Sequence, residues 1–211
     1  MHARLCRIDA DQISVIYNGV DAARASSPRD EPPVILFAGR LTEQKNPLLL
    51  LQAFRRLPSK LQQKCEVHFA GEGPLQFPLE EELKNGQLSD CVKLLGHRLD
   101  IAALMQRATV LVLPSKWEGL PNVVLEAMAA GLPVIATAVD GIQELLEDGV
   151  TGWLVPSDDE AALSEAIQEA LTAPETRRQR ATAAQVVAAE QFKWELVVSK
   201  YDQLLTSLRQ D

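Results

Sequence analysis

From Val34 onward the chain alternates two hydrophobic patterns. Short unbroken apolar runs, VILFAG, CEVHFAG, CVKLLG, TVLVLPS, LPVIAT and TGWLVP, are bounded by proline, glycine or polar residues and are too short for helices, so each predicts a buried strand. Between them lie stretches whose apolar residues recur every three or four positions. Pro47 opens the first of these, LLLLQAFRRL, with Arg55 and Arg56 off its apolar face. Further helices are predicted around LEEELKNG, DIAALMQRA, PNVVLEAMAAG and GIQELLEDG, and polar helices from about Asp158 to the end. Ahead of the series, ISVIYNGVD reads as a short strand ending in the turn signal Asn18-Gly19, followed by the linker-like AARASSPRDEPP.

Strands alternating with helices of this length predict an α/β domain with a parallel sheet covered on both faces and right-handed connections. In such sheets ligands collect beyond the carboxyl ends of the strands, where helix N-termini present unpaired N–H groups. The loops at those ends read AGRLTEQKN, AGEGP, LGHRLD, PSKWEGLPN and TAVDG, and most carry a glycine where backbone must approach a neighbour closely. Gly71-Glu72-Gly73 lacks the third glycine of a dinucleotide fingerprint, and the sequence has no GxxxxGK[ST] phosphate loop.

Composition removes other classes. The 211 residues are 46% apolar, ample for a core, and the net charge of -8 with a pI near 5.0 argues against a nucleic-acid partner. Cys6, Cys65 and Cys91 lie far apart and do not combine with His2, His68 or His97 in a zinc-like spacing, which reads as three reduced thiols serving as core filler in a cytoplasmic protein. Neither a signal-peptide core nor an apolar run long enough to span a bilayer is present, so any membrane contact is expected to be peripheral. Asp9-Ala10-Asp11 is a DxD-like string in a polar segment, where a turn or cap role is expected and not metal binding.

One stretch, WEGLPNVVLEAMAAGLPV, sets Glu118 and Glu126 with seven residues between them across a helix start at Pro121. Val124, Ala127, Met128 and Gly131 form the stripe expected to face the sheet, while Asn122, Glu126 and Ala130 follow another line. Ionised carboxylates only accept hydrogen bonds, so two of them at this spacing suit an elongated ligand rich in hydroxyls. Taken singly, each of these charges is an ordinary solvated surface group. The fragments NGVD, GRLTEQKN, GEGP, SKWEGLPNVVLEAMAAGLPVIAT, DGVTGWLVP and FKWELVVSKYDQL, in this order from about Ile13 to the C-terminus, resemble the donor-binding half of a GT-B glycosyltransferase, in particular the retaining family four enzymes.

The resemblance implies a single Rossmann-like domain, the C-terminal half of a GT-B fold, that binds a nucleotide-diphosphate sugar as donor substrate without a metal. Glu118 is then expected at the transferred sugar and Glu126 at the ribose. The amides of Gly119, Leu120 and the first helical turn, with Asn122 and Val123, would face the diphosphate, and Gly39 and Gly71 are further expected donor-binding residues. Arg40 and Lys45 would neutralise the leaving group, since fixed cations are worth most where charge develops. The loop of Gly96, His97 and Arg98 is the candidate base contact, acting mainly through its backbone, and does not separate UDP from GDP or ADP. Trp117 and Pro114 are expected as packing and turn residues, and Phe192, Trp194 and Tyr201 as the packing face of a terminal helix.

By the same resemblance, residues 1–31 are a remnant of the interdomain segment and linker, 32–190 the nucleotide-sugar-binding domain, and 191–211 a helix that docks on an N-terminal acceptor domain missing from this chain. The expected activity is donor binding within a sugar transferase that needs that acceptor domain or subunit, with any approach to the cytoplasmic membrane face expected through its acceptor. The alternative is a noncatalytic nucleotide-sugar-binding or partner-docking module.

Overall fold

The computed structural model describes residues 13–21, 32–86, 88 and 90–208. Asp9 to Asp11, Cys6, His2 and residues 22–31 of the linker lie outside them. All six apolar runs form strands: β1 (Val34–Ala38), β2 (Glu66–Ala70), β3 (Val92–Gly96), β4 (Val110–Leu113), β5 (Val134–Thr137) and β6 (Trp153–Val155). They pair entirely in parallel, in the order β3-β2-β1-β4-β5-β6. The helices are α1 (Pro47–Arg56), α2 (Ser59–Gln62), α3 (Gln76–Asn85), α4 (Ile101–Arg107), α5 (Asn122–Ala129), α6 (Glu160–Thr172), α7 (Pro174–Gln191) and α8 (Trp194–Ser207).

Strand residues alternate between two cores because successive side chains leave opposite faces. Ile35, Phe37, Val67, Phe69, Val110 and Val112 pack with Leu50, Phe54 and Ile167 on one face. Leu36, Leu111, Leu113, Val134 and Ala136 pack with Val124, Met128, Ala184 and Phe192 on the other. From β1 the chain steps in one direction along the sheet to β2 and β3, then crosses back to place β4 on the other edge of β1 and continues away from it to β5 and β6. The loops after β1 and β4 therefore part at this reversal, where doubly wound sheets open a crevice.

Several expectations fail locally. Residues 13–19 form no strand; only Val20 makes a bridge, to Lys193, and its N–H donates to the Phe192 carbonyl at 2.7 Å. Its backbone pairs at this single bridge and its side chains pack elsewhere, Tyr17 against the Phe192 ring, so its apolar residues do not enter a ladder. GIQELLEDG is a turn and not a helix: Leu146 N–H reaches the Ile142 carbonyl at 2.9 Å, but Gly141 and Gly149 take φ of 78° and 75° and confine the segment to about one turn. Ile142, Leu145 and Leu146 are buried, so the apolar spacing is genuine while the helix is not. Pro121 caps α5 with extended ψ of 111°, and the helix proper starts at Asn122. Gly131 does not face the sheet; it ends α5 in the left-handed region at φ 66°, with its Cα beside Gln185 of α7.

Phe192 is buried, while Trp194 and Tyr201 are about half exposed, the Trp194 ring lying against Gly19. Trp117 is likewise 54% exposed, so it is no packing residue, whereas Pro114 is buried. Cys65 is buried, and desolvation pushes its thiol up to about 12; Cys91 is only partly buried. Among the described residues no helix is long and apolar enough to cross a membrane.

Candidate functional site

The loop after β1 begins at Gly39, whose N–H continues the ladder to the Ala70 carbonyl at 3.0 Å. Arg40 is exposed beyond it, and Asn46 enters α1 in the left-handed region. Lys45 folds back over the glycine: a Cβ built on Gly39 would lie 3.8 Å from its Cδ and Cε. The Lys45 ammonium then donates to Glu118 Oε1 at 2.5 Å, joining the loops after β1 and β4. Their side chains are only 15% and 5% exposed, so this ion pair is largely removed from water.

A second donor fixes the same carboxylate. Ser115 Oγ bonds Glu118 Oε1 at 2.6 Å, and the Ser115 carbonyl in turn accepts from the buried Thr137 hydroxyl. The two loops are also stitched by Lys116 N–H to the Gln44 carbonyl at 2.8 Å and by Gln44 Nε2 to the Trp117 carbonyl at 3.1 Å. Gly119 then passes so close to Gly141 that a Cβ on the latter would meet the Gly119 carbonyl oxygen at 1.3 Å. Only glycine fits at position 141, both for this approach and for its left-handed φ.

Beside this pair a cleft of about 320 Å³ opens across the ends of β1, β2 and β3. Gly39, Arg40, Gly71, His97, Arg98, Val123 and Glu126 all line it, together with Glu72 and Ile101. Gly71 is needed there: a Cβ would meet the Gly39 carbonyl oxygen at 1.9 Å. Glu126 reaches solvent from α5 but is crowded by protein atoms, and this desolvation raises its pKa above the ordinary carboxylate value. The cleft thus has a cation at its β1 end and a carboxylate on its helical wall. Lys45 and Glu118 adjoin it through Gly39.

Other predicted residues are placed differently. Asn122 accepts from Asn18 Nδ2 at 2.8 Å and lines a neighbouring cavity with Gly19, Asp21 and Trp194, which Glu126 also borders. Leu120 packs against the helical side of the core, and the Gly119 Cα faces open space. Arg98 lines the cleft but its guanidinium is held by both oxygens of Asp100, at 2.8 and 2.6 Å. His97 is exposed, and its backbone N–H is already taken by Glu72 Oε1 at 3.2 Å. Among the described residues no group of three or more His, Cys, Asp or Glu comes together as a metal site.

Sequence reasoning passed over Ser115 and Glu72. Ser115 carried a signal, a hydroxyl directly beyond a strand's carboxyl end and three residues before Glu118. Glu72 stood between two glycines read only for their backbone.

Residues 20–187 match the family described as Glycosyl transferases group 1. Glycogen synthase of Mycobacterium tuberculosis is 33% identical over 194 residues, which cover 89% of this chain and 47% of that protein. The amylovoran biosynthesis glycosyltransferase AmsK of Erwinia amylovora is 37% identical over 168 residues, 74% of this chain and 41% of its own. The chain thus spans about half the length of the curated relatives it matches. Among solved structures, Anabaena HepE in complex with UDP aligns with a TM-score of 0.88 at 26% identity, covering 97% of this chain and 60% of that one. The same protein in complex with UDP-glucose gives 0.87 at 25% identity, again covering 97% of this chain and 60% of its own.

Proposed function

The chain belongs to the group 1 glycosyl transferases, and from that membership we propose that it binds a nucleoside-diphosphate sugar as the donor half of a retaining sugar transferase. The observation that carries this reading is the joining of Arg40, Lys45, Glu118 and Glu126 around one rim of the sheet, at the reversal between β1 and β4.

In this reading the diphosphate lies over Gly39 and Gly71, with Arg40 and Lys45 beside it and the N-terminus of α5 facing it. When the bond between the sugar's anomeric carbon and the phosphate oxygen breaks, the electron pair stays on that oxygen. The two cations stabilise the growing charge. Glu118 accepts from hydroxyls of the transferred sugar and Glu126 from the ribose. Because Lys45 already holds Glu118, the anchor for the sugar and the cation for the leaving phosphate are set next to each other before ligand arrives. That is preorganisation of the kind that favours a transition state.

No metal takes part in this proposal, and a partner domain or subunit supplies the acceptor. The module works in the cytoplasm and meets a membrane only through its acceptor. The stripe of Trp194, Val198, Tyr201, Leu205 and Leu208 along one side of α8, all about half exposed or more, is the surface offered to that acceptor domain. HepE, whose crystal structures hold UDP and UDP-glucose, makes a uridine donor the first to test.

Calorimetric titration of the 211-residue chain with UDP, UDP-glucose and GDP tests the binding claim. Binding is expected for at least one, and Arg40→Ala combined with Lys45→Ala should abolish most of it. No binding of any nucleotide, or binding indifferent to that double substitution, would reject the site. Tight donor binding with no turnover even after an acceptor domain is added would instead favour a noncatalytic binding module.

A further inference from the structure

The loops after β2 and β3 hold the end of the cleft farthest from Lys45, and beyond their last backbone hydrogen bond one side chain continues the connection. The last backbone rung there is Gly71 N–H to the Gly96 carbonyl, 2.8 Å. One residue farther out the ladder stops, because Gly96 turns into the left-handed region at φ 64° and the strands diverge. At that point Glu72 Oε1 accepts the His97 N–H at 3.2 Å, so a carboxylate takes the place of the next backbone carbonyl. The backbone of Glu72 is tied to the other side as well: its own carbonyl accepts from Leu41 N–H at 2.9 Å.

Glu72 thus links the loop that carries Arg40 to the loop that carries His97 and Arg98, and all four residues line the same cleft. Among the described residues neither His97 nor Arg98 hydrogen-bonds to the β2 loop through its side chain, Arg98 being turned to Asp100. We propose that Glu72 is a positioning residue for nucleobase recognition: by holding the His97 amide it sets the width of the base-binding end and leaves that amide unable to contact the base directly. This inference rests on the donor-site reading above and assigns a role to a residue that does not touch the diphosphate.

The test is titration of the full chain and its Glu72→Ala and Glu72→Gln variants with UDP, GDP and inorganic pyrophosphate, with thermal unfolding measured alongside. Loss of one solvent-accessible hydrogen bond to the carboxylate predicts that Glu72→Ala weakens the better-bound nucleotide by about three- to tenfold. Pyrophosphate, which has no base, should bind as it does to the unaltered chain. Glu72→Gln keeps an acceptor oxygen and should restore most of the nucleotide affinity. The inference is overturned if Glu72→Ala leaves both nucleotides unchanged, or if it weakens pyrophosphate as much as nucleotide, which would make Glu72 a general structural brace. An unaltered chain that binds pyrophosphate but neither nucleotide would overturn the donor-site reading and this inference together.

Discussion

The carboxylates of Glu118 and Glu126 are identical groups in opposite electrostatic settings. Glu118 is nearly buried but neutralised by Lys45 and hydrogen-bonded by Ser115, whereas Glu126 is desolvated, with its pKa raised by burial. For Glu126 the sign follows directly: its folded pKa lies above the unfolded value near 4.5, so ionisation disfavours the folded state at any pH above both. Glu126→Gln is therefore expected to leave the midpoint of thermal unfolding at neutral pH unchanged or raised. Its nucleotide affinity should nonetheless fall, by about 1 to 3 kcal/mol for full truncation to alanine. As pH drops, the unaltered chain should lose nucleotide affinity when Glu126 takes up its proton, earlier than an ordinary glutamate would, while Glu126→Gln shows no such step. A melting point lowered by Glu126→Gln would contradict this account.

The Lys45 and Glu118 pair predicts a different pattern. Removing one partner strands the other in a largely dry place, so Lys45→Ala and Glu118→Ala should each destabilise the fold, by an amount approaching the ~3 kcal/mol seen when a buried pair is broken. The double variant should cost less than the sum, as a double-mutant cycle from chemical denaturation would reveal. Simple additivity would mean that the two side chains are not coupled in solution.

At the scale of elements, the site is made where strand ends meet loops that cross. The turn after β5 holds the loop after β4 through the contact of Gly141 with the Gly119 carbonyl. Gly141→Ala therefore has to move the 118–120 backbone, since the clash is with main chain and not with a flexible tip. A loss of more than about 1 kcal/mol of stability is expected from the positive φ alone, and donor affinity should fall with it. If Gly141→Ala kept both, the loop would be more adaptable than its packing implies. The misjudged GIQELLEDG segment teaches the same point: Ile142, Leu145 and Leu146 show helical spacing because one turn buries them, and the flanking glycines stop it there.

On the level of the whole molecule, the sheet with its two cores is complete, but one surface of α8 is left with large apolar side chains exposed. Substituting Val198 and Leu205 with lysine should change stability within about 0.5 kcal/mol, because neither is buried against this domain. Under the proposed function the same substitutions should prevent an added acceptor domain from restoring turnover. Turnover equal to that of the unaltered chain would show that α8 is not the docking surface. EDTA should leave that restored activity unchanged, and a loss reversed by a divalent cation would refute the metal-free mechanism.

The sequence by itself determined the α/β class and all six strands, because unbroken apolar runs are properties of neighbours along the chain, while the charges proposed to serve a sugar diphosphate were marked by family resemblance. Glu118 with Glu126 and Arg40 with Lys45 were legible as candidate pairs through the motifs that carry them and the family resemblance of those motifs. What tertiary structure alone decided was which partner each charge takes. Lys45 meets Glu118 and Glu72 holds His97 across separations of 73 and 25 residues. Such contacts depend on strand order and on where each loop crosses its neighbour. A hydrogen bond needs placement to within a fraction of an ångström, and periodicity along one strand or helix carries no information at that distance about another.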